Sequence, residues 1–264
     1  MFKEKRRAKL RSAPFPAEWR RIIESRCPFF QRLPKEDQDE LLGHIQIFLA
    51  EKSFEGCGGL VMTDEIRVCI AAQACVLLLH RKTNYYPDLH SILVYPSPYF
   101  APDSRHVGSG IMEERQASRA GEAWPSGAVV LAWDSVRQGT ADPTDGNNVV
   151  FHEFAHQLDF EDGRADGAPV LAEGHGWSSR KSRYAAWARV LSAEFARLQT
   201  ETERGQESVL DHYGATNPAE FFAVATESFF ERSREMREKL PALYEELKEY
   251  YQQDPAGWPA EFGA

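Results

Sequence analysis

Apolar residues along the chain recur mostly at the three- and four-residue spacing of helices. From Glu36 to Glu51, Leu41, Leu42, Ile45, Phe48 and Leu49 fall on one side. Val68 to Leu79 is apolar apart from Gln73 and reads as a buried helix, well short of the about 20 residues that cross a bilayer. Tyr184, Trp187, Leu191, Phe195 and Leu198 mark an amphipathic helix that opens at Ser182. Asn217-Pro218-Ala219-Glu220 combines a capping residue, a proline at the first helical position and a glutamate at the third, so another helix starts there. A last helix runs from Pro241 to about Gln252 and ends before Pro255. Two β-rich runs break the helical pattern, Ser91 to Tyr95 and Val129 to Trp133, and both read as strands. Pro98 to Ser126 reads as loop, and the glycine-rich stretch Glu161 to Ser179 as irregular. The pattern predicts a mostly helical α+β domain with a small mixed sheet, spanning residues 20–264.

Charge sets the first nineteen residues apart. Lys3, Lys5, Arg6, Arg7, Lys9 and Arg11 stand ahead of Pro14 and Pro16, and the segment is expected to be a basic, solvated, mobile tail. No apolar stretch follows it, so it does not read as a secretory signal. The whole chain of 264 residues carries a net charge of -9, which disfavours direct binding to nucleic acid or an anionic membrane. The 4 cysteines form no C-x-x-C pair, and Cys69 and Cys75 lie inside the buried run. Reduced thiols and a cytoplasmic location are the simplest expectation.

Chemistry concentrates on one helix, capped by Asn147 or Asn148 and reaching about Phe160. It carries His152-Glu153-Phe154-Ala155-His156. Residues four apart share a helix face, so the two histidines can converge on one metal ion. Glu153 stands beside the open position, where a carboxylate can take a proton from a metal-activated water. The competing reading is a helix with two surface histidines.

A catalytic zinc needs a third protein ligand. A short-range third histidine is missing: Asp162 stands six residues after His156, and Asp159 takes the place of the glycine turn. His175 lies in a glycine-rich loop and is ambiguous. Glu220 is the better candidate, on a helical face with Val224, Glu227 and Glu231, among Phe221, Phe222, Phe229 and Phe230 that argue for deep packing. Its competing role is local, as a capping-box glutamate. Asp159 and Glu227 are candidates for orienting a ligand histidine.

His152 to Asp159 (HEFAHQLD), Tyr213 seven residues before Glu220, and Glu220-Phe221-Phe222-Ala223 resemble the Mlc titration factor A family of bacterial zinc peptidases. More distantly they are similar to the catalytic domain of anthrax lethal factor. The likeness extends to Ile92–Pro96, Gly121–Trp133 and Tyr250–Pro255. It implies a zincin-like peptidase fold and one Zn2+ per chain held by His152, His156 and Glu220. Glu153 is then the general base and Tyr213 a donor to the developing oxyanion. It further implies an aminopeptidase-like activity on peptides and a strand, Val129 to Trp133, beside the cleft. In that family a histidine before Gly121 can approach the zinc and block the free enzyme; Glu113 occupies the aligned position here. Family members can also bind the repressor Mlc, so the alternative is a non-catalytic regulator that sequesters such a repressor, its metal site structural or vestigial.

Overall fold

The computed structural model describes the backbone of residues 2–107, 111–119, 121–124, 127–171 and 177–259, with side chains for the same residues apart from 99–107, 111–119, 122–124 and 177–180. Four helices come first: α1 (Phe2–Ser12), α2 (Ala17–Arg26), the short α3 (Phe29–Arg32) and α4 (Lys35–Glu51). Strand β1 (Ser53–Gly56) leads to α5 (Asp64–Val76), whose first turn is capped by the Thr63 hydroxyl accepting from the Ile66 N–H. Five strands follow: β2 (Ser91–Tyr95), β3 (Tyr99–Val107), β4 (Ile111–Arg119), β5 (Gly121–Trp124) and β6 (Ala128–Ala132). The rest is helical: α6 (Trp133–Ala141), α7 (Val149–Asp159), α8 (Trp177–Glu203), α9 (Pro218–Glu231), α10 (Ser233–Lys239) and α11 (Pro241–Tyr251). The fold is thus mostly helical α+β.

The sheet is mixed, in the order β1-β2-β6-β5. Strands β1, β2 and β6 run parallel, while β5 pairs antiparallel to β6 with Gly121 opposite Leu131. Helix α5, buried along nearly all its length, forms the centre of the molecule. Helix α7 packs on β5 and β6 to one side and on α9 to the other. Phe154, fully buried, locks α7 in place between Tyr86 (ring centroids 4.9 Å apart) and Phe48 (5.8 Å). Truncating it to alanine is expected to cost about 3–5 kcal/mol.

Four features depart from the sequence reading. The basic N-terminal segment is a docked helix rather than a solvated tail: Arg7 is buried and forms a bidentate pair with Glu51 (2.8 and 2.7 Å) and a bond to Asn84 Oδ1 at 3.0 Å. The partners that bury it, Glu51 and Asn84, lie 44 and 77 residues away, and the local contact with Glu4 is of the ordinary helix-surface kind, so the sequence does not distinguish Arg7 from its exposed neighbours. The stretch expected as loop holds β3, β4 and β5, the first two forming a separate antiparallel hairpin with Arg105 opposite Glu113. Pro102-Asp103-Ser104-Arg105 and Glu113-Glu114-Arg115-Gln116 show no alternation of apolar and polar residues, so periodicity carries no signal there. Strand β6 ends at Ala132, and Trp133 already belongs to α6. Finally, α8 begins at Trp177 and continues through Glu203, longer at both ends than the apolar stripe alone suggests.

Candidate metal centre

Asn148, of the two candidate caps, starts α7: its Oδ1 accepts from the Val150 and Phe151 N–H groups, both at 3.1 Å. Asn217 does the same for α9, accepting from the Glu220 N–H at 3.0 Å, with Pro218 at the first helical position. The two helices pack side by side and bring three donor atoms together. His152 Nε2 lies 3.0 Å from Glu220 Oε2 and 3.2 Å from His156 Nε2, and His156 Nε2 lies 3.3 Å from Glu220 Oε2. Among the described residues these three form the one such group of His, Cys, Asp or Glu able to hold a metal ion. The Glu220 carboxylate therefore faces the histidines, and the capping-box alternative does not describe where it points.

Glu227, two turns further along α9, grips the other side of the first histidine: its Oε1 lies 2.7 Å from His152 Nδ1. A carboxylate at Nδ1 leaves Nε2 directed at His156 and Glu220. Asp159, the other candidate for that role, has its Oδ2 on the Gly167 N–H at 2.9 Å and shapes the loop after α7 instead. Burial pushes its carboxyl up to about 6 against the opposing pull of that N–H.

Charges in the site are strongly perturbed. Burial lowers the His152 imidazole, but the bonds to Glu220 and Glu227 reverse this and hold it well above its ordinary range. Burial raises Glu220, and the two histidines overcome it, holding the carboxyl well below the usual carboxylate range. Glu153, 5% exposed, is pushed up to about 7, chiefly by burial, with the two histidines opposing. A carboxyl poised near neutrality suits proton transfer.

One contact near Glu153 escapes sequence reasoning. A Cβ on Gly121 would lie 2.5 Å from Glu153 Oε1 and 2.7 Å from Val149 Cγ2, so only glycine lets β5 approach α7 this closely. An isolated glycine at the start of a strand is the signal that could have pointed to it. The resemblance had put β6 beside the cleft, but β6 is flanked on both sides by β2 and β5. The strand against Glu153 is β5, at the sheet's edge.

Tyr213 lies in a one-turn 3₁₀ segment, His212–Ala215, set by Asp211 accepting the Tyr213 N–H at 2.7 Å. The residue is 53% exposed, and its ring lies 6.0 Å from the His152 ring. The structure thus brings His152, Glu153, His156, Tyr213 and Glu220 to one place. His175 lies outside the described residues, as does the side chain of Glu113.

The glucose-regulated metallo-peptidase M90 family matches the chain over residues 1–252. The chain belongs to that family. Over 251 residues it is 40% identical to an uncharacterized protein of Synechocystis sp., covering 95% of this chain and 89% of that protein. It is 32% identical over 231 residues to Mlc titration factor A of Klebsiella pneumoniae, covering 86% of this chain and 83% of the relative. The corresponding Escherichia coli protein is 30% identical over 232 residues, with the same coverage. Membership of M90 implies a metal ion, and the His152, His156 and Glu220 cluster is the described place that fits one. Among the described residues no helix is long and apolar enough to cross a membrane.

Proposed function

We propose that this M90 member is a zinc-dependent peptidase with His152, His156 and Glu220 as metal ligands. The observation that carries the reading is the set of donor separations, 3.0, 3.2 and 3.3 Å. A tetrahedral ion with bonds of about 2.0–2.1 Å has ligand-to-ligand edges of about 3.3–3.4 Å, so the three side chains already outline one face of such a site. Two imidazoles and one carboxylate are also the donor types that suit zinc, with one ion per chain.

When bound, the metal supplies Lewis acidity toward a carbonyl oxygen and lowers the pKa of water. Glu153 accepts the proton of the attacking water and returns it to the leaving amine. In the metal-free protein its burial raises the carboxyl to about 7, so this side chain can both take up and release a proton near neutral pH. Tyr213 donates to the oxyanion that develops on the scissile carbonyl, a contribution of about 3 kcal/mol for one well-placed donor. The edge strand β5 offers backbone groups to an extended peptide. We assign an aminopeptidase-like preference for short peptides in the cytoplasm. Incubating wild type and Glu153→Gln with aminoacyl and internally quenched peptides tests this. Cleavage lost in the variant with zinc retained supports it, and full cleavage by the variant overturns the mechanism.

The names of the relatives motivate a second reading, capture of an Mlc-type repressor through a protein surface. Pull-down of such a repressor by wild type and by Glu220→Ala separates the two. Binding that survives loss of the metal makes the activities independent.

A further inference from the structure

Asn148 does more than cap a helix. Its Oδ1 closes the first turn of α7, while its Nδ2 donates to Glu231 Oε1 at 2.9 Å. Its backbone N–H donates to Glu227 Oε2 at 2.5 Å, and its carbonyl accepts the His152 N–H at 2.9 Å. An N-cap N–H is commonly met by a glutamate or glutamine three residues on, but Phe151 stands there and cannot serve. Glu227, from another helix, takes that place and passes its second oxygen to His152 Nδ1. Asn148, Glu227 and Glu231 are all at least nine-tenths buried. Helix α6 closes the other side: a Cβ on Gly139 would lie 3.2 Å from Asn148 Cα and 3.3 Å from its Cγ.

Serine, threonine or aspartate would cap α7 as well as asparagine does. Only asparagine adds a separate N–H donor on the same short side chain, and that donor is the one Glu231 holds. Three buried polar groups are a costly way to cap a helix, and a defined geometry is the return. We propose that Asn148 is a positioning residue for the metal centre, coupling Glu231 through its own backbone N–H and Glu227 to the direction of the His152 imidazole. The proposal rests on the metal-ligand reading of His152.

The test compares Asn148→Ser, Glu231→Ala, Glu231→Gln and the double variant Asn148→Ser/Glu231→Ala. Zinc affinity is measured by competition with a chromophoric chelator, and the His152 Nδ1–H by proton and nitrogen NMR of the metal-free protein. Asn148→Ser keeps a capping oxygen, so its unfolding midpoint is expected near wild type while zinc affinity falls about tenfold or more. Glu231→Ala is expected to match it, Glu231→Gln to stay within about twofold of wild type, and the double variant to be no worse than either single one. The Nδ1–H resonance should move or broaden in Asn148→Ser and Glu231→Ala alone. Wild-type affinity and an unmoved resonance in Asn148→Ser, or losses that multiply in the double variant, would overturn the proposal. Should Asn148→Ser not fold, the two Glu231 variants decide by the same readouts. If wild type takes up no zinc, the metal reading fails separately, and the imidazole resonance still decides the coupling.

Discussion

Glu220 and Glu231 sit at opposite ends of one face of α9, and their surroundings give the same acid opposite behaviour. Glu220 opens toward two imidazoles and is held well below the usual carboxylate range despite its partial burial. Glu231 meets the Asn148 amide and no cation among the described groups, and burial, with Glu227 and Asp145 repelling its charge, pushes it up to about 8. Glu227 stands between them, raised by burial yet bonded to His152. Along α9 the chemistry thus grades from a charged mouth facing two histidines to a proton-holding buried end, with partner type deciding at each step.

The mouth should fail in chemistry and the buried end in geometry or pH response. Glu153→Gln makes the largest break, with kcat expected to fall about 10²–10⁴-fold in a peptide cleavage assay while zinc content is unchanged. Glu220→Ala removes a donor, so zinc measured by mass spectrometry after dialysis should drop well below one per chain with cleavage lost alongside. Glu227→Ala is expected to keep the three donors but lower zinc affinity about 10–100-fold, as read by chelator competition. Zinc binding at the mouth also requires an unprotonated His152, whose proton the neighbouring carboxylates favour. Affinity should therefore rise with pH in a calorimetric titration series.

The buried end is tested by stability. Because the folded Glu231 pKa of about 8 lies above its ordinary 4.5, the folded state holds a proton that the unfolded state releases between those values. The contribution is fully present below about pH 4.5 and is lost as pH rises through about 8, with a slope of up to about 1.4 kcal/mol per pH unit. Urea titrations of wild type and Glu231→Gln from pH 5 to pH 8 should show the glutamine variant gaining relative stability as pH rises. A constant difference would mean that Glu231 stays ionised throughout.

The same contrast governs how much could be read from sequence. The α9 start was legible because Asn217, Pro218 and Glu220 are adjacent, and the α7 pair because one helical turn separates its histidines. Glu220 stood out as a candidate from its helical face and aromatic neighbours, but its meeting with His152, 68 residues away, leaves no local pattern, and the family resemblance named the ligand set. Contacts of Asn148 with Glu227 and Glu231 span 79 and 83 residues and leave no periodic trace. Docking of α1 through Arg7 was invisible for the same reason. The hairpin of β3 and β4 is defined by backbone pairing between two polar runs, where hydrophobic alternation cannot help.

X-ray absorption at the zinc edge of the reconstituted wild-type protein tests the central claim most directly. Two imidazole nitrogens with carboxylate or water oxygens, all at about 2.0–2.2 Å, are predicted for the His152, His156 and Glu220 site. A shell with three imidazoles would put another histidine in place of Glu220, and sulfur at about 2.3 Å would move the metal to the cysteines; either result contradicts the account.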